Sequence, residues 1–114
     1  MSRTILLVDD SDVVRMTLGA LLEDDGHTVI EASSLAEARA QLDASFDVAV
    51  IDLNLSDGLG NALFADIRNR HPTAAIVLLT GADTPPPGAD LVVEKGADPA
   101  QLSTQIEAAI ARRV

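Results

Sequence analysis

The sequence contains no cysteine, no tryptophan and no tyrosine, and it has only two phenylalanines. Without cysteine the chain cannot form a disulfide framework or a thiolate zinc site, and a reducing cytoplasm is the expected compartment. The scarcity of aromatic side chains removes the stacking platforms on which bases or sugars bind. No apolar run approaches the roughly 18 residues of a membrane span, and the N-terminus does not resemble a signal peptide. We therefore expect a soluble, cytoplasmic protein.

Basic residues are also few, because eight Lys and Arg stand against 18 Asp and Glu, which gives a formal net charge of −10. They are scattered without forming a basic stripe, so direct binding to nucleic acid is not expected, and neither is binding to a membrane. The polar chemistry must then come from carboxylates. Six other polar residues are interpreted as solvated or turn residues without a functional role: Arg3, Arg15, Arg39, Arg68, His27 and His71.

The chain alternates short apolar runs with helical stripes. Its 114 residues, 47% of them apolar, suffice for one compact domain, taken as residues 1–114. Strands are predicted from apolar runs beginning at Ile5, Thr28, Phe46, Ala75 and Leu91. Helices are predicted over about Asp12–Asp25, from Ser34, around Leu63 to Arg70, and from Asp98 towards the C-terminus. This alternation predicts an α/β fold with a parallel sheet, helices on both faces and right-handed crossovers.

Polar residues stand at the ends of four predicted strands. Asp9 and Asp10 follow the first strand, Asp52 ends the third, Thr80 the fourth and Lys95 the fifth. The carboxyl ends of parallel strands meet at one edge of the sheet, so we expect these five residues to converge. Packed carboxylates repel one another, and a hard divalent cation, Mg²⁺ above all, relieves that repulsion. An Asp-Asp pair alone is more often a solvated turn, and the prediction of a phosphoryl-transfer site rests on the joint pattern.

Four segments resemble the receiver family of bacterial two-component response regulators: ILLVDD at 5–10, VAVIDLNLSDGLG at 48–60, VLLTG at 77–81 and VVEK at 92–95. The resemblance covers essentially the whole chain. It implies a flavodoxin-like (CheY-like), doubly wound sheet of five parallel strands in the order 2-1-3-4-5.

The resemblance also implies a role for each residue of the predicted site. Asp52 would be the phosphoacceptor, Asp10 a direct ligand of Mg²⁺ (with Mn²⁺ as an alternative), and Asp9 a ligand acting directly or through water. Asn54 would add its backbone carbonyl to the metal. Thr80 would bind the phosphoryl oxygen, and Lys95 would pair with the phosphoryl charge.

The sequence departs from the family pattern in three places. Gly96 follows the lysine where the family usually has a proline in a cis peptide, which predicts a less rigidly aimed Lys95. Ser56 replaces a common proline, although Gly60 is kept. Thr80 and Lys95 are only fifteen positions apart, three of them prolines in the segment Thr84–Gly88, and Val92 takes the place of the switch aromatic. Prolines do not fit a helix interior, so the fourth helix is expected to be shortened or missing.

The leading hypothesis is a signalling switch in which a sensor histidine kinase or a histidine phosphotransfer domain phosphorylates Asp52 and a downstream protein target reads the change. The domain would catalyse only its own phosphorylation and dephosphorylation. It could be a single-domain regulator, a phosphate shuttle or a receiver excised from a longer protein. The alternative is a pseudo-receiver that binds partners without phosphorylation, favoured by Gly96 and the missing helix. A flavin or dinucleotide enzyme is not expected, since the turn after the first strand lacks phosphate-binding glycines, and a phosphohydrolase ranks last.

Overall fold

A computed structural model describes residues 2–96 and 98–113 of the chain. Its main feature is a five-stranded parallel sheet in the order β2-β1-β3-β4-β5. The strands are β1 (Thr4–Val8), β2 (Thr28–Ala32), β3 (Val48–Asp52), β4 (Ala75–Thr80) and β5 (Leu91–Glu94). The helices are α1 (Asp12–Asp24), α2 (Leu35–Ala40), α3 (Phe64–Arg70) and α4 (Leu102–Arg113). This order and architecture confirm the fold expected from the family resemblance.

The three central strands β1, β3 and β4 are buried on both faces, as their apolar residues require. In β1, Leu6 and Val8 join the cluster that packs under α2 and α3, whereas Ile5 and Leu7 join the cluster that packs under α1 and α4. All six residues of β4 and all five of β3 are buried. Two packed layers therefore fix the strand ends from which the functional side chains project.

Helix starts follow the capping chemistry in the sequence. Ser34 accepts a hydrogen bond from the Glu37 N–H at 3.0 Å, as in a capping box. The Glu37 carboxylate instead accepts from the Ser33 hydroxyl at 2.8 Å. The last helix opens at Asp98, whose carboxylate accepts from the Ala100 N–H at 3.0 Å; a 3₁₀ turn over Pro99–Gln101 then leads into α4.

The crossover between β4 and β5 contains no helix in residues 81–90, all of which the structure describes. Arg68, on α3, holds its far end, because the guanidinium donates to the Gly88 carbonyl and to Asp90 Oδ2, each at 3.0 Å. The same Asp90 oxygen accepts from the Ile76 N–H at 2.7 Å, which attaches the segment to β4. The interpretation of Arg68 as a solvated charge was wrong, since its guanidinium ties the crossover to α3.

In the part of the chain that the structure describes, no helix has the length and apolar character needed to cross a bilayer.

Candidate functional site

Three aspartates meet at the carboxyl edge of the sheet. Asp9 directly follows β1 and Asp52 ends β3, and these two strands are neighbours. Oxygen atoms of Asp9, Asp10 and Asp52 lie within 4.8 Å of one another. Asp9 and Asp52 are buried, whereas Asp10 is exposed. The expected convergence of these carboxylates is confirmed.

Asp9 has the chemistry of a metal ligand. Its Oδ1 accepts a hydrogen bond from the Ser11 N–H at 2.8 Å, but its buried Oδ2 has no hydrogen-bond partner within the described residues. Burial and, to a smaller extent, the charge of Asp52 raise the pKa of Asp9, although the Ser11 N–H opposes them. The buried Oδ2 therefore receives no hydrogen bond from the described residues and lies beside two further carboxylates. Such a set of oxygen ligands fits a hard divalent cation.

Lys95 supplies the positive charge at the site. Its Nζ donates to Asp52 Oδ2 at 2.9 Å, and this hydrogen bond raises the pKa of Lys95 above its ordinary value. The Asp52 side chain has no exposed surface, whereas 44% of the Lys95 side chain is exposed. The following Gly96 has a φ of +97°, a conformation that side-chain-bearing residues rarely adopt. Glycine there therefore suits the backbone turn after Lys95.

Thr80 ends β4 beside the acidic cluster, one position beyond Leu79, which is the sheet partner of Asp52. It is 3% exposed, and its Oγ1 accepts a hydrogen bond from the Ala82 N–H at 3.0 Å. This bond joins the side chain to the loop that begins the helix-free crossover. Thr80 thus connects the acidic edge of the sheet with that loop.

The loop after Asp52 is tightly constrained. The Asn54 N–H donates to Asp52 Oδ1 at 3.3 Å. A Cβ on Gly60 would lie 2.2 Å from the Asp52 carbonyl oxygen and 2.6 Å from the Ile51 side chain, so only glycine fits. The loop turns despite Ser56, through a small antiparallel pairing of Asn54–Leu55 with Gly58–Leu59.

Asp57 anchors that loop to α2, a role that the sequence did not reveal. Its carboxylate accepts from the Leu35 N–H at 2.9 Å and from the Ala36 N–H at 3.1 Å. These hydrogen bonds to the start of the helix lower the pKa of Asp57. The sequence could not predict this contact, because Asp57 and Leu35 are far apart along the chain.

Arg15 also has a role that the sequence did not reveal, and its interpretation as a solvated charge was wrong. Only 15% of its side chain is exposed. The guanidinium donates to the Asp9 carbonyl at 2.7 Å, to Asp12 at 2.6 Å and to Glu31 at 3.1 Å. The spacing of Asp12 and Arg15 could have indicated one of these contacts, but not the other two.

Neither histidine lies at the acidic edge, as expected, but His27 is not a surface residue. It is 6% exposed, accepts from the Arg3 N–H at 3.1 Å through Nδ1, and lies 3.1 Å from the Ser103 hydroxyl through Nε2. It precedes β2 and so sits at the opposite edge of the sheet. His71 is partly buried against Phe46.

Comparison with known proteins gives a consistent result. The family model for the response regulator receiver domain matches residues 5–107. The Mycobacterium tuberculosis regulator DevR/DosR, described as a DNA-binding transcriptional activator, is 44% identical over 79 residues, which cover 67% of this chain and 36% of that protein. The chain spans less than half the length of the curated relatives that it matches.

Solved structures agree with the fold. A receiver domain protein from Methanospirillum hungatei has a TM-score of 0.89 at 24% identity, over 99% of this chain and 97% of that one. The Thermotoga maritima response regulator TrrA, solved with Mg²⁺ and BeF, has a TM-score of 0.82 at 25% identity, over 93% of this chain and 97% of that one. The chain therefore belongs to the response regulator receiver family, and Asp9, Asp10 and Asp52 form the acidic pocket typical of phosphoacceptor domains in two-component systems.

Proposed function

We propose that Asp52 accepts a phosphoryl group from a phosphohistidine of a sensor histidine kinase or a histidine phosphotransfer domain, in a Mg²⁺-dependent reaction. The observation that carries the proposal is the arrangement around Asp52: two further carboxylates within 4.8 Å and the Lys95 ammonium at 2.9 Å. This combines a nucleophilic carboxylate, a set of oxygen ligands and a compensating positive charge. Phosphoryl transfer needs such positioning and charge neutralisation more than it needs covalent chemistry from the protein.

In the transfer step a carboxylate oxygen of Asp52 forms a P–O bond while the P–N bond of the donor breaks. The electron pair of that bond stays on the imidazole nitrogen, and the product is an acyl phosphate on Asp52. Lys95 Nζ donates to Oδ2 of the fully covered Asp52 side chain, so attack through that oxygen requires the ammonium to leave it. We expect it to move onto an oxygen of the incoming phosphoryl group, where it stays paired with negative charge.

The metal would be held by the side chains of Asp9, Asp10 and Asp52 and by the backbone carbonyl of Asn54. Mg²⁺ bound there would neutralise charge on the transferred phosphoryl oxygens. Asp9 is ready for this role because its Oδ2 is buried and has no hydrogen-bond partner within the described residues. The domain itself would turn over no other substrate and would catalyse only its own phosphorylation and dephosphorylation.

The signal would leave the site through Thr80. If its hydroxyl turns towards a phosphoryl oxygen, it releases the Ala82 N–H that it now accepts from at 3.0 Å. A groove lined by Gly81, Asp83 and Val92 adjoins this bond, and Val92 is exposed where the family pattern has an aromatic. We propose that residues 81–87 move and that a downstream protein reads this surface. Unchanged amide chemical shifts in residues 81–96 after phosphorylation would contradict this route.

Intact-mass spectrometry after incubation with acetyl phosphate tests the proposal. The wild type should gain about 80 Da, one phosphoryl group, only when Mg²⁺ is present. Asp52→Asn should gain nothing. Asp43→Asn is the matched control, because it removes an exposed carboxylate that pairs with Arg70 on the surface, and it should be labelled like the wild type.

The pseudo-receiver hypothesis makes the opposite prediction for the same experiment. It draws on the helix-free crossover and on Gly96, which depart from the family pattern. No adduct with any donor, together with no binding of beryllofluoride in the presence of Mg²⁺, would favour it. The search would then turn to partners that bind the unphosphorylated domain.

A further inference from the structure

The guanidinium of Arg15 contacts the main chain of Asp9, one of the three aspartates of the acidic pocket. Arg15 lies one turn into α1 and donates to the Asp9 carbonyl at 2.7 Å, while Glu31 on β2 and Asp12 at the start of α1 hold its other nitrogens. We propose that Arg15 is a positioning residue for the metal site: it fixes the turn that carries Asp9 and Asp10 relative to Asp52. This inference rests on the proposed function of that pocket.

The contact to the Asp9 carbonyl is the one that matters. Asp9 is the first residue after β1. Its own N–H donates to the Ala32 carbonyl at 3.1 Å, and the Ser11 N–H bonds back to its carboxylate at 2.8 Å. The contact from Arg15 is the one that holds its carbonyl, on the side from which the chain continues to Asp10. Asp10 is exposed, and no described hydrogen bond holds its side chain. A main-chain anchor at Asp9 therefore limits how far both carboxylates drift from Asp52, which is fixed at the end of the buried β3.

Arginine suits this position for a geometric reason. Its planar guanidinium offers several donors in fixed directions, so one side chain reaches the carbonyl and two carboxylates at once. The carboxylates of Asp12 and Glu31 hold the guanidinium in place, and the guanidinium in turn fixes the position of the Asp9 carbonyl. A lysine would keep the charge, but its single ammonium on a flexible stem cannot make the three contacts in these directions.

The sign of the effect separates positioning from simple electrostatics. A positive charge beside the pocket repels a cation, so removing it would strengthen Mg²⁺ binding if charge alone mattered. Positioning predicts the reverse, namely weaker binding after removal. Arg15→Lys isolates the geometry, because the formal charge stays and the fork is lost. Arg15→Met removes both.

The experiment is Mg²⁺ titration by isothermal calorimetry on the wild type, Arg15→Lys and Arg15→Met, with urea unfolding of each variant without Mg²⁺. The expected result is a dissociation constant raised about 10- to 100-fold in both variants, the range seen when partners that orient metal ligands are removed. Arg39→Lys is the matched control, because the half-exposed Arg39 side chain pairs with Asp66 at 3.8 Å and makes no hydrogen bond to the acidic pocket within the described residues, and it should bind Mg²⁺ like the wild type.

Glu31→Gln provides a second, milder test in case the Arg15 variants do not fold. It weakens one support of the guanidinium without touching the pocket. Because the loss of a negative charge alone also weakens cation binding, the titration is repeated at high salt, which screens the half-exposed Glu31 charge. A smaller rise in the dissociation constant, in the same direction, should persist there. Unchanged or tighter Mg²⁺ binding in folded Arg15 variants would overturn the inference and leave Arg15 a merely structural residue. A wild type that binds no Mg²⁺ would instead refute the metal site itself, and with it the proposed function.

Discussion

Replacing Asp9 with asparagine should make the protein more stable without Mg²⁺ and less stable with it. Asparagine has nearly the same shape and keeps an oxygen to accept the Ser11 N–H that Asp9 Oδ1 accepts at 2.8 Å. It removes a charge that is fully buried within 4.8 Å of two other carboxylates. The substitution therefore separates the cost of the acidic pocket from its benefit.

The magnitude follows from the charges around Asp9. Two unit charges at 4.8 Å repel by about 3.5 kcal/mol at an effective dielectric constant of about 20. Lys95 offsets much of that repulsion, since its Nζ lies 2.9 Å from Asp52 Oδ2. A net gain of about 1 kcal/mol for Asp9→Asn is therefore expected, or a melting temperature higher by about 4 °C for a domain of this size.

With Mg²⁺ present, the wild type should be more stable than Asp9→Asn. An ion that binds only the folded protein stabilises it by about 2.7 kcal/mol when its concentration is 100-fold above the dissociation constant. The wild type should gain that amount, whereas Asp9→Asn has lost a charged ligand and should gain little. With Mg²⁺ in excess the wild type should thus be the more stable protein, by about 1 to 2 kcal/mol.

The stability of the metal-free wild type should fall with rising pH over a defined range. Burial raises the pKa of Asp9 in the folded protein, so within a window above the ordinary aspartate value the folded state holds a proton that the unfolded state has lost. Stability of the metal-free wild type therefore falls as pH rises through this window, and the cost is fully present above it. Asp9→Asn lacks this cost, so its advantage should be absent below about pH 4 and should grow as pH rises through the raised pKa of Asp9.

Urea unfolding of both proteins, with and without Mg²⁺, at pH 4 and pH 7 measures the eight free energies of unfolding that these comparisons need. A variant that is less stable than the wild type in metal-free solution at pH 7 would refute the argument from buried charge. A variant that Mg²⁺ stabilises as much as it does the wild type would refute the assignment of Asp9 to the metal site. Asp52→Asn is not a suitable substitute here, because it also removes the partner of Lys95.

Two further predictions concern the residues that hold Asp52. Gly60→Ala should lower the free energy of unfolding by about 2 to 3 kcal/mol, because its Cβ would lie 2.2 Å from the Asp52 carbonyl oxygen; Gly81→Ala, whose Cβ meets no atom within 4 Å, is the control, and equal urea midpoints for the two would contradict the prediction. Lys95→Met should cost about 1 to 2 kcal/mol at pH 7 after allowance for the exposure of the ammonium. Since the pKa of Lys95 is raised, this difference should persist at neutral pH and disappear only as pH rises past the ordinary lysine value; a difference that disappears near pH 7 would refute the pairing with Asp52.

The sequence predicts the convergence of the site residues well, because each strand and the polar residue at its end can be recognised from a few consecutive residues. Runs such as Ile5 to Val8 are apolar at every position, which indicates a strand buried on both faces, and each run ends at a polar residue. Parallel strands then place Asp9, Asp52 and Thr80 at one edge whatever the details of the helices. The prolines between Thr84 and Gly88 likewise exclude a helix by backbone chemistry alone, and the structure has none there.

The contacts that sequence could not predict are those between residues distant along the chain. Arg68 meets Asp90 across 22 positions, and Arg15 meets Glu31 across 16. A lone arginine on a helix has the same local pattern whether it is solvated or holds two segments together. His27 was interpreted as a solvated or turn residue, and its burial could not be predicted, because it depends on the packing of α4, where the Ser103 hydroxyl lies 3.1 Å from its ring.

The family's helix between β4 and β5 is missing from the described residues 81–90, and this changes the route that a signal from Asp52 can take. Arg68 and Ile76 hold Asp90 and Gly88, so the far end of the crossover is attached to α3 and β4. The near end is held through Thr80, whose hydroxyl bonds the Ala82 N–H. A switch at Thr80 therefore acts on a short segment that is fixed at its other end, and the change it produces should stay within residues 81–87. We expect a partner that detects this change to contact that segment or the adjoining edge of β5.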